Sequence, residues 1–239
     1  THGIHGYTAK FIPHIPRFFI EKYSKEGDTI LDPFVGSGTT LLESKITHRN
    51  SFGIDINPLA RLISKVKTTS INPKKLDESI KILNQLLNKS LKSTYDVEFY
   101  NQEYWFHKNA TKDLKKIMSA IDKLFSENKI GIDERDFFRV CFSSIIRRSS
   151  YADPQNPKTY CSPNMKIKKQ EGLQTYPLIY FKNVVNQNAV SIKELFYTFK
   201  KNKSFAKLLE TNNATSINLP SNKIDLIITS PPYANAQDY

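Results

Sequence analysis

The stretch Asp32-Pro33-Phe34-Val35-Gly36-Ser37-Gly38-Thr39-Thr40 constrains this chain most. Thr29, Ile30 and Leu31 ahead of it are β-branched or apolar and read as a buried strand. Leu41-Leu42-Glu43-Ser44 behind it continue a helix, expected over 41–49, so the glycines sit in a strand-to-helix turn. Gly36 and Gly38 permit backbone conformations closed to other residues and let a ligand approach the main chain. The start of the helix adds unpaired N–H groups and a positive dipole end, which suit a carboxylate or a phosphate. A plain tight turn uses the same two glycines, so the reading turns on what accompanies them.

Two further stretches accompany them. Gly53-Ile54-Asp55-Ile56-Asn57-Pro58 reads as a second strand ending in an acid, with Asp55 nineteen residues beyond Gly36. A carboxylate at that separation, on the tip of the next strand, is placed to bind ribose hydroxyls. It is equally placed to neighbour a helix cap, because Asn57 can cap and Pro58 can open the helix that follows. Toward the other end, Ile224-Asp225-Leu226-Ile227-Ile228-Thr229-Ser230-Pro231-Pro232-Tyr233 runs an apolar strand into two prolines and an aromatic residue.

With Ile4-His5-Gly6-Tyr7-Thr8-Ala9-Lys10-Phe11-Ile12-Pro13 upstream, these motifs resemble the S-adenosylmethionine-dependent amino-methyltransferases that modify cytosine N4 or adenine N6 in DNA. The motif order is cofactor loop first and Ser-Pro-Pro-Tyr last. Both ends of the chain carry the resemblance; residues 70–205 match loosely. It implies an α/β fold, a Rossmann-like doubly wound sheet whose first four strands fall at 29–31, 51–56, 206–209 and 225–229. A helical insertion separates the second strand from the third. Residues 1–70 and 206–239 would form the cofactor-binding and catalytic core, and 71–205 the insertion, a candidate region for contacting DNA and recognising its target.

The resemblance assigns S-adenosylmethionine, leaving as S-adenosylhomocysteine, to Lys10, Asp32, Phe34, Gly36, Ser37, Gly38, Thr39, Thr40, Asp55, Ile56 and Asn213. Lys10 would meet the cofactor carboxylate, or else is simply solvated. Asn213 stands where the family usually places an Asp that touches adenine; its amide can accept through oxygen and donate through nitrogen. The catalytic turn would be Ser230, Pro231, Pro232 and Tyr233. An exocyclic amine on an aromatic base is a poor nucleophile, so acceptors must polarise its N–H bonds and hold it in line. The Ser230 hydroxyl and Pro231 carbonyl can accept, the prolines stiffen the loop, and Tyr233 can stack on an extruded base. Serine in the first position leans toward cytosine N4, in a restriction-modification setting. The family sheet has seven strands, so this chain is expected to be an amino-terminal part, completed by a downstream segment or a second chain. It begins without Met, and residue 1 is expected not to be the native start.

Helical stripes fill the middle. Asn72-Pro73 opens one with Leu76, Ile80, Leu83 and Leu87; Asn109 can cap a second with Leu114, Ile117, Ile121 and Leu124. Asp133 can cap a third with Phe137, Phe138, Cys141 and Ile145, and Pro177 can open a fourth through Val185, Ala189, Ile192, Phe196 and Phe199. An amino-terminal helix would bury Phe18, Phe19, Ile20 and Tyr23. The aromatic run at 100–107 reads better as a packed corner than as a base-stacking surface, and His107 has no evident partner. Residues 147–175 read as a long irregular segment. Its Arg147, Arg148, Lys166, Lys168 and Lys169, mixed with Tyr151, Gln155, Asn156 and Tyr160, suit phosphate and base-edge contacts, or form a solvated loop.

The net charge of +12 agrees with a polyanionic partner, double-stranded DNA. The two cysteines, Cys141 and Cys161, lack metal-type spacing, and neither follows a proline, so no ring-carbon chemistry through a thiolate is indicated. No apolar run spans a bilayer, and a cytoplasmic protein without a metal or a membrane partner is expected. Two other functions stay open: an RNA base methyltransferase, and a catalytically silent DNA-binding subunit of a methyltransferase complex.

Overall fold

The structure, a computed structural model, describes residues 2–8, 10–156, 158–211 and 213–230. The chain divides into two compact units, Thr1–Ser70 with Ile192–Tyr239, and Ile71–Ser191.

The first unit is a mixed α/β body around four parallel strands, β1 (Thr29–Asp32), β2 (Asn50–Gly53), β3 (Ala206–Leu208) and β4 (Leu226–Ile227), in the order β3-β2-β1-β4. All four residues of β1 are buried, as befits a strand covered on both faces. It pairs with β2 from Thr29↔Asn50 to Asp32↔Gly53, and with β4 at Ile30↔Leu226 and Leu31↔Ile227. The next strand in the chain and the last of the described strands thus flank β1. A crevice opens beyond the carboxyl ends of strands at such a reversal of order.

β2 stops at Gly53, short of the expected 56, because the chain turns to serve the glycine loop. Ile54 N donates to Asp32 O at 3.0 Å, while Ile54 O accepts from Val35 N at 2.8 Å. β4 is shorter than the expected 225–229, although Asp225 N to Thr29 O at 2.9 Å and Ile228 N to Leu31 O at 3.0 Å extend its bonding. It edges the described sheet, with Ile227 60% exposed.

Helix α1 (His14–Tyr23) buries Ile20 against Ile30 and Ile228, with Phe11 and Leu226 beside them. Phe18, Phe19 and Tyr23 do not join that core as expected. They lie exposed, because Ile20 and Pro16 take the inward face, and they pack on one another and on Lys22. Helix α2 (Thr39–Ile46) starts at once from the glycine loop, two residues before the expected 41. Helix α3 (Pro58–Thr68) is capped by Asn57, whose Oδ1 accepts from Leu59 N at 2.9 Å and Ala60 N at 3.3 Å.

The second unit is helical. It contains α4 (Pro73–Asn88), α5 (Gln102–Trp105), α6 (Lys108–Ser126), α7 (Ile132–Ile146) and α8 (Pro163–Gln170). Helix α9 (Pro177–Phe199) carries the chain out of it. Leu76, Leu83, Leu87, Ile117, Ile121, Phe137, Phe138 and Cys141 are buried, so the stripes are core. Burial pushes the Cys141 thiol up to about 12, and both cysteines are free and buried.

Three local expectations change here. His107, not Asn109, caps α6, its Nδ1 accepting from Asn109 N at 3.1 Å. Gly131 precedes α7, leaving Asp133 in the first turn. Residues 147–175 are not irregular throughout, because Ser162 caps α8 and Met165 anchors it on Tyr151 and Cys161, with Trp105 and Leu173 alongside. Tyr151, 3% exposed, is therefore core rather than a base contact.

Candidate active site

The loop after β1 is held from within the backbone. Gly38 N donates to Val35 O at 2.8 Å, and Leu42 N donates to Gly38 O at 3.1 Å, closing the turn onto the first turn of α2. Gly38 sits at φ +79°, and a Cβ there would meet Ser64 Oγ at 2.4 Å and Ser64 Cα at 2.7 Å. Glycine is thus required twice over, by conformation and by the approach of α3. Gly53 is required by space alone, since a Cβ would come within 2.9 Å of both Leu41 and Val35.

Asp55, just beyond the end of β2, fixes the same loop. Its Oδ2 accepts from Gly36 N at 2.8 Å and its Oδ1 from Asn57 N at 2.8 Å. Each oxygen keeps a lone pair for a ligand. Asp32, 2% exposed, accepts through Oδ1 from Phe34 N at 3.1 Å and from Thr229 Oγ1 at 2.7 Å. Burial raises its carboxyl above the ordinary range; the Thr40 hydroxyl, then the Thr229 and Phe34 bonds, oppose that rise, and the Asp55 charge adds to it. The Thr229 bond ties the end of β4 directly to the end of β1.

These groups border a cleft of about 610 Å³. Lys10, Asp32, Phe34, Gly36, Ser37, Thr39, Thr40, Asp55, Ile56 and Asn213 all line it; Gly38 stands behind, shaping the turn. Ser230 lines it too, while Pro231, Pro232 and Tyr233 lie outside the described residues. The walls add Tyr7, Phe11, Asn57 and Thr215, of which Asn57 reads in the sequence only as a helix cap and Thr215 carries no motif signal. Ile56, 78% exposed, and Phe34, 42% exposed, give the cleft apolar surface suited to a flat aromatic ring.

Two candidates are partly engaged already. Asn213 Oδ1 accepts from Thr215 N at 3.0 Å and Thr215 Oγ1 at 2.9 Å, so its amide nitrogen is the better group for a ligand. Lys10 Nζ donates to His5 O at 3.2 Å and His2 O at 3.4 Å, which holds the ammonium at the cleft wall. Burial, then the Lys67 and Lys10 charges, lower the His5 imidazole to about 4.

The basic residues of the helical unit divide into two groups. Lys166 and Lys168 are exposed on α8. Lys169 turns inward, donating to Glu103 O at 2.8 Å and Tyr104 O at 3.1 Å and lying over the Tyr104 and Tyr151 rings. Arg147 donates to Asp153 O at 2.9 Å, and the Arg148 guanidinium lies 4.3 Å from the Tyr180 ring centre. Among the described residues no group of three or more His, Cys, Asp or Glu gathers to hold a metal, and no helix is long and apolar enough to cross a membrane.

Residues 2–65, which carry Lys10, the glycine loop and Asp55, match the family N6_N4_Mtase, described as DNA methylase. The chain is 27% identical over 252 residues to Type II methyltransferase M.MvaI of Kocuria varians, covering 99% of this chain and 54% of that protein. It is 40% identical over 167 residues to Type II methyltransferase M.MjaII of Methanocaldococcus jannaschii, covering 67% of this chain and 29% of that one. Against Type II methyltransferase M.BsoBI of Geobacillus stearothermophilus it is 27% identical over 259 residues, 98% of this chain and 49% of the relative. The chain thus spans about half the length of two of these relatives and less of the third. No solved structure matches it.

Proposed function

We infer that this chain, which belongs to the N4/N6 amino-methyltransferase family, serves methyl transfer from S-adenosylmethionine to an exocyclic amine in double-stranded DNA. Cytosine N4 is the favoured acceptor, on the identity of Ser230, within a restriction-modification system of the bacterial or archaeal cytoplasm. The four parallel strands are the first part of a Rossmann-like doubly wound sheet, and the helices between β2 and β3 are an insertion in it.

One observation carries the reading: the Asp55-locked glycine loop and Ser230 line the same cleft, beyond the carboxyl ends of β1 and β4. The residues present fit the cofactor. Asp55 keeps lone pairs for ribose hydroxyls, Ile56 and Phe34 offer exposed apolar surface for adenine, and Asn213 offers an amide donor. Ser37, Thr39 and Lys10 line the cleft where the amino-acid end would be held. When bound, S-adenosylmethionine supplies an electrophilic methyl group on a sulfonium.

The protein's own part is positioning and polarisation. Ser230, held next to Thr229 and so to Asp32, would accept from the target amine and draw its lone pair toward the methyl group. Pro231, Pro232 and Tyr233 would complete that turn. Lys166, Lys168 and Arg148 would neutralise DNA phosphates from the helical unit.

Incubation of the protein, together with the downstream segment or second chain that completes it, with unmodified duplex DNA and labelled S-adenosylmethionine, followed by digestion to nucleosides, tests this. N4-methylcytosine is the expected product. N6-methyladenine would move the acceptor, and label entering RNA but not DNA would overturn the DNA assignment.

A further inference from the structure

Lys67, in α3, has no solvent exposure, yet its Nζ donates to Ser37 Oγ at 3.3 Å in the wall of the cleft. A buried ammonium is stabilised only by a counter-charge and hydrogen bonds. Among the described residues no carboxylate lies within ion-pair reach of Lys67; the charges acting on its surroundings are cationic, Lys10 on Lys67 itself and both lysines on His5. The acids of the elements around it are engaged elsewhere. Glu43 of α2 is held by His2 and Arg17, Asp55 by Gly36 and Asn57, and Asp32 by Phe34 and Thr229. Lys45 of α2 donates to Thr68 O.

A cationic cluster without an internal anion, behind a ligand cleft, fits an anion brought by the ligand. We propose that Lys67 is a positioning residue for the α-carboxylate of the cofactor. Its ammonium occupies the acceptor side of Ser37 Oγ, so the Ser37 proton is left to donate into the cleft, and binding of the anion draws a proton onto the Lys67 amine. Burial, with the Lys10 charge, lowers Lys67 to about 7, so part of the amine population is uncharged at neutral pH without ligand. His5, near 4, is neutral through this range and does not compete as the proton acceptor. An arriving carboxylate favours the charged amine, so affinity strengthens as pH falls through about 7 and weakens above it.

This inference rests on the S-adenosylmethionine reading, and the test separates the two. Calorimetry of the full chain with S-adenosylhomocysteine, in buffers of different ionisation enthalpy, counts protons. 5′-Methylthioadenosine, which keeps the nucleoside and thioether but lacks the amino-acid end, is the control. At pH 7 binding of S-adenosylhomocysteine should be accompanied by net uptake of a fraction of a proton, and binding of 5′-methylthioadenosine by none. Lys67→Met should abolish that uptake and weaken S-adenosylhomocysteine about tenfold, leaving 5′-methylthioadenosine within about twofold of wild type. The ligand's own amine titrates alike in both proteins, so the difference belongs to Lys67. The wild-type proton count stands even if Lys67→Met fails to fold. Zero uptake by wild type, or equal uptake in a folded Lys67→Met protein, overturns the role of Lys67 alone. Failure of wild type to bind either ligand overturns the cofactor reading and this inference with it.

Discussion

The Asp55 carboxylate accepts the Gly36 N–H at 2.8 Å across nineteen residues of chain, so one acid shapes the loop and borders the cleft the loop encloses. Its other oxygen holds Asn57 N, the residue that caps α3. Asp55 is therefore both readings at once, the cap's neighbour and a candidate ligand group. Asp55→Ala should weaken S-adenosylhomocysteine by about 2–4 kcal/mol, since loop donors and ribose hydroxyls both lose a charged acceptor. Calorimetry on a protein with wild-type circular dichroism measures this; unchanged affinity would remove Asp55 from the site.

Gly38→Ala should destabilise the first unit even without ligand. The added Cβ meets Ser64 Oγ at 2.4 Å at a φ of +79°, and Ser64 sits on a packed helix that cannot retreat freely. A cost of about 1–3 kcal/mol follows from strain and overpacking. The melting temperature should fall by roughly 5 °C. An unshifted melt would mean that α3 moves away at little cost.

A buried acid is expected to set the acid limit of stability. Glu43 is fully buried and paired with Arg17 Nε and His2 Nε2, each at 2.6 Å. Burial alone would raise its carboxyl, but His2 and Arg17 outweigh it and the net shift is downward from 4.5. The stabilisation is thus complete above about 4.5 and fades as pH falls through the lower folded value. Arg17→Met should cost about 3 kcal/mol, the lower end for a severed buried pair, because Arg17 is itself 41% exposed. Melts of Glu43→Gln from pH 6 to pH 3 should lose less stability than wild type; parallel curves would assign the acid limit to other groups.

The exposed and enclosed lysines of α8 should behave differently. Replacing Lys166 and Lys168 by Gln should make the dependence of log DNA affinity on log salt shallower, by up to about 0.9 for each phosphate no longer neutralised, with the melt unchanged. Lys169→Ala should instead lower the melt, since it frees the Glu103 and Tyr104 carbonyls that its Nζ holds. Equal salt slopes for wild type and the double variant would leave Lys166 and Lys168 to solvent.

Much of this is legible in chain order because it depends on near neighbours. Asn57-Pro58 and Asn72-Pro73 open helices whose caps form as expected, and period-three-to-four stripes such as Leu76, Leu83 and Leu87 are buried. What stays hidden depends on partners far along the chain. Lys67 and Glu43 look like solvated charges until α2 and α3 close over them. His107 competes with Asn109 as a cap only once the turn before α6 presents its Nδ1. The inward face of α1 differs from the expected one because Phe18, Phe19 and Tyr23 are as apolar as Ile20; the packing of Ile30 and Ile228 selects among them.

Thr229 Oγ1 donates to Asp32 Oδ1 at 2.7 Å, joining the strand that delivers Ser230 to the strand that delivers the glycine loop. Thr229→Val keeps the shape and removes only that bond. The loop is still held by Asp55, so affinity for S-adenosylhomocysteine should change less than about threefold. Ser230 loses its register against the cleft, and misplacement by about an ångström can cost roughly a hundredfold in rate. Methyl transfer should therefore fall far more than binding, in whichever assembly shows activity. Asp32, stripped of one of the bonds that oppose its upward shift, should titrate higher still. Parallel losses in binding and transfer would instead mean that Thr229 supports the loop as a whole and has no separate hold on Ser230.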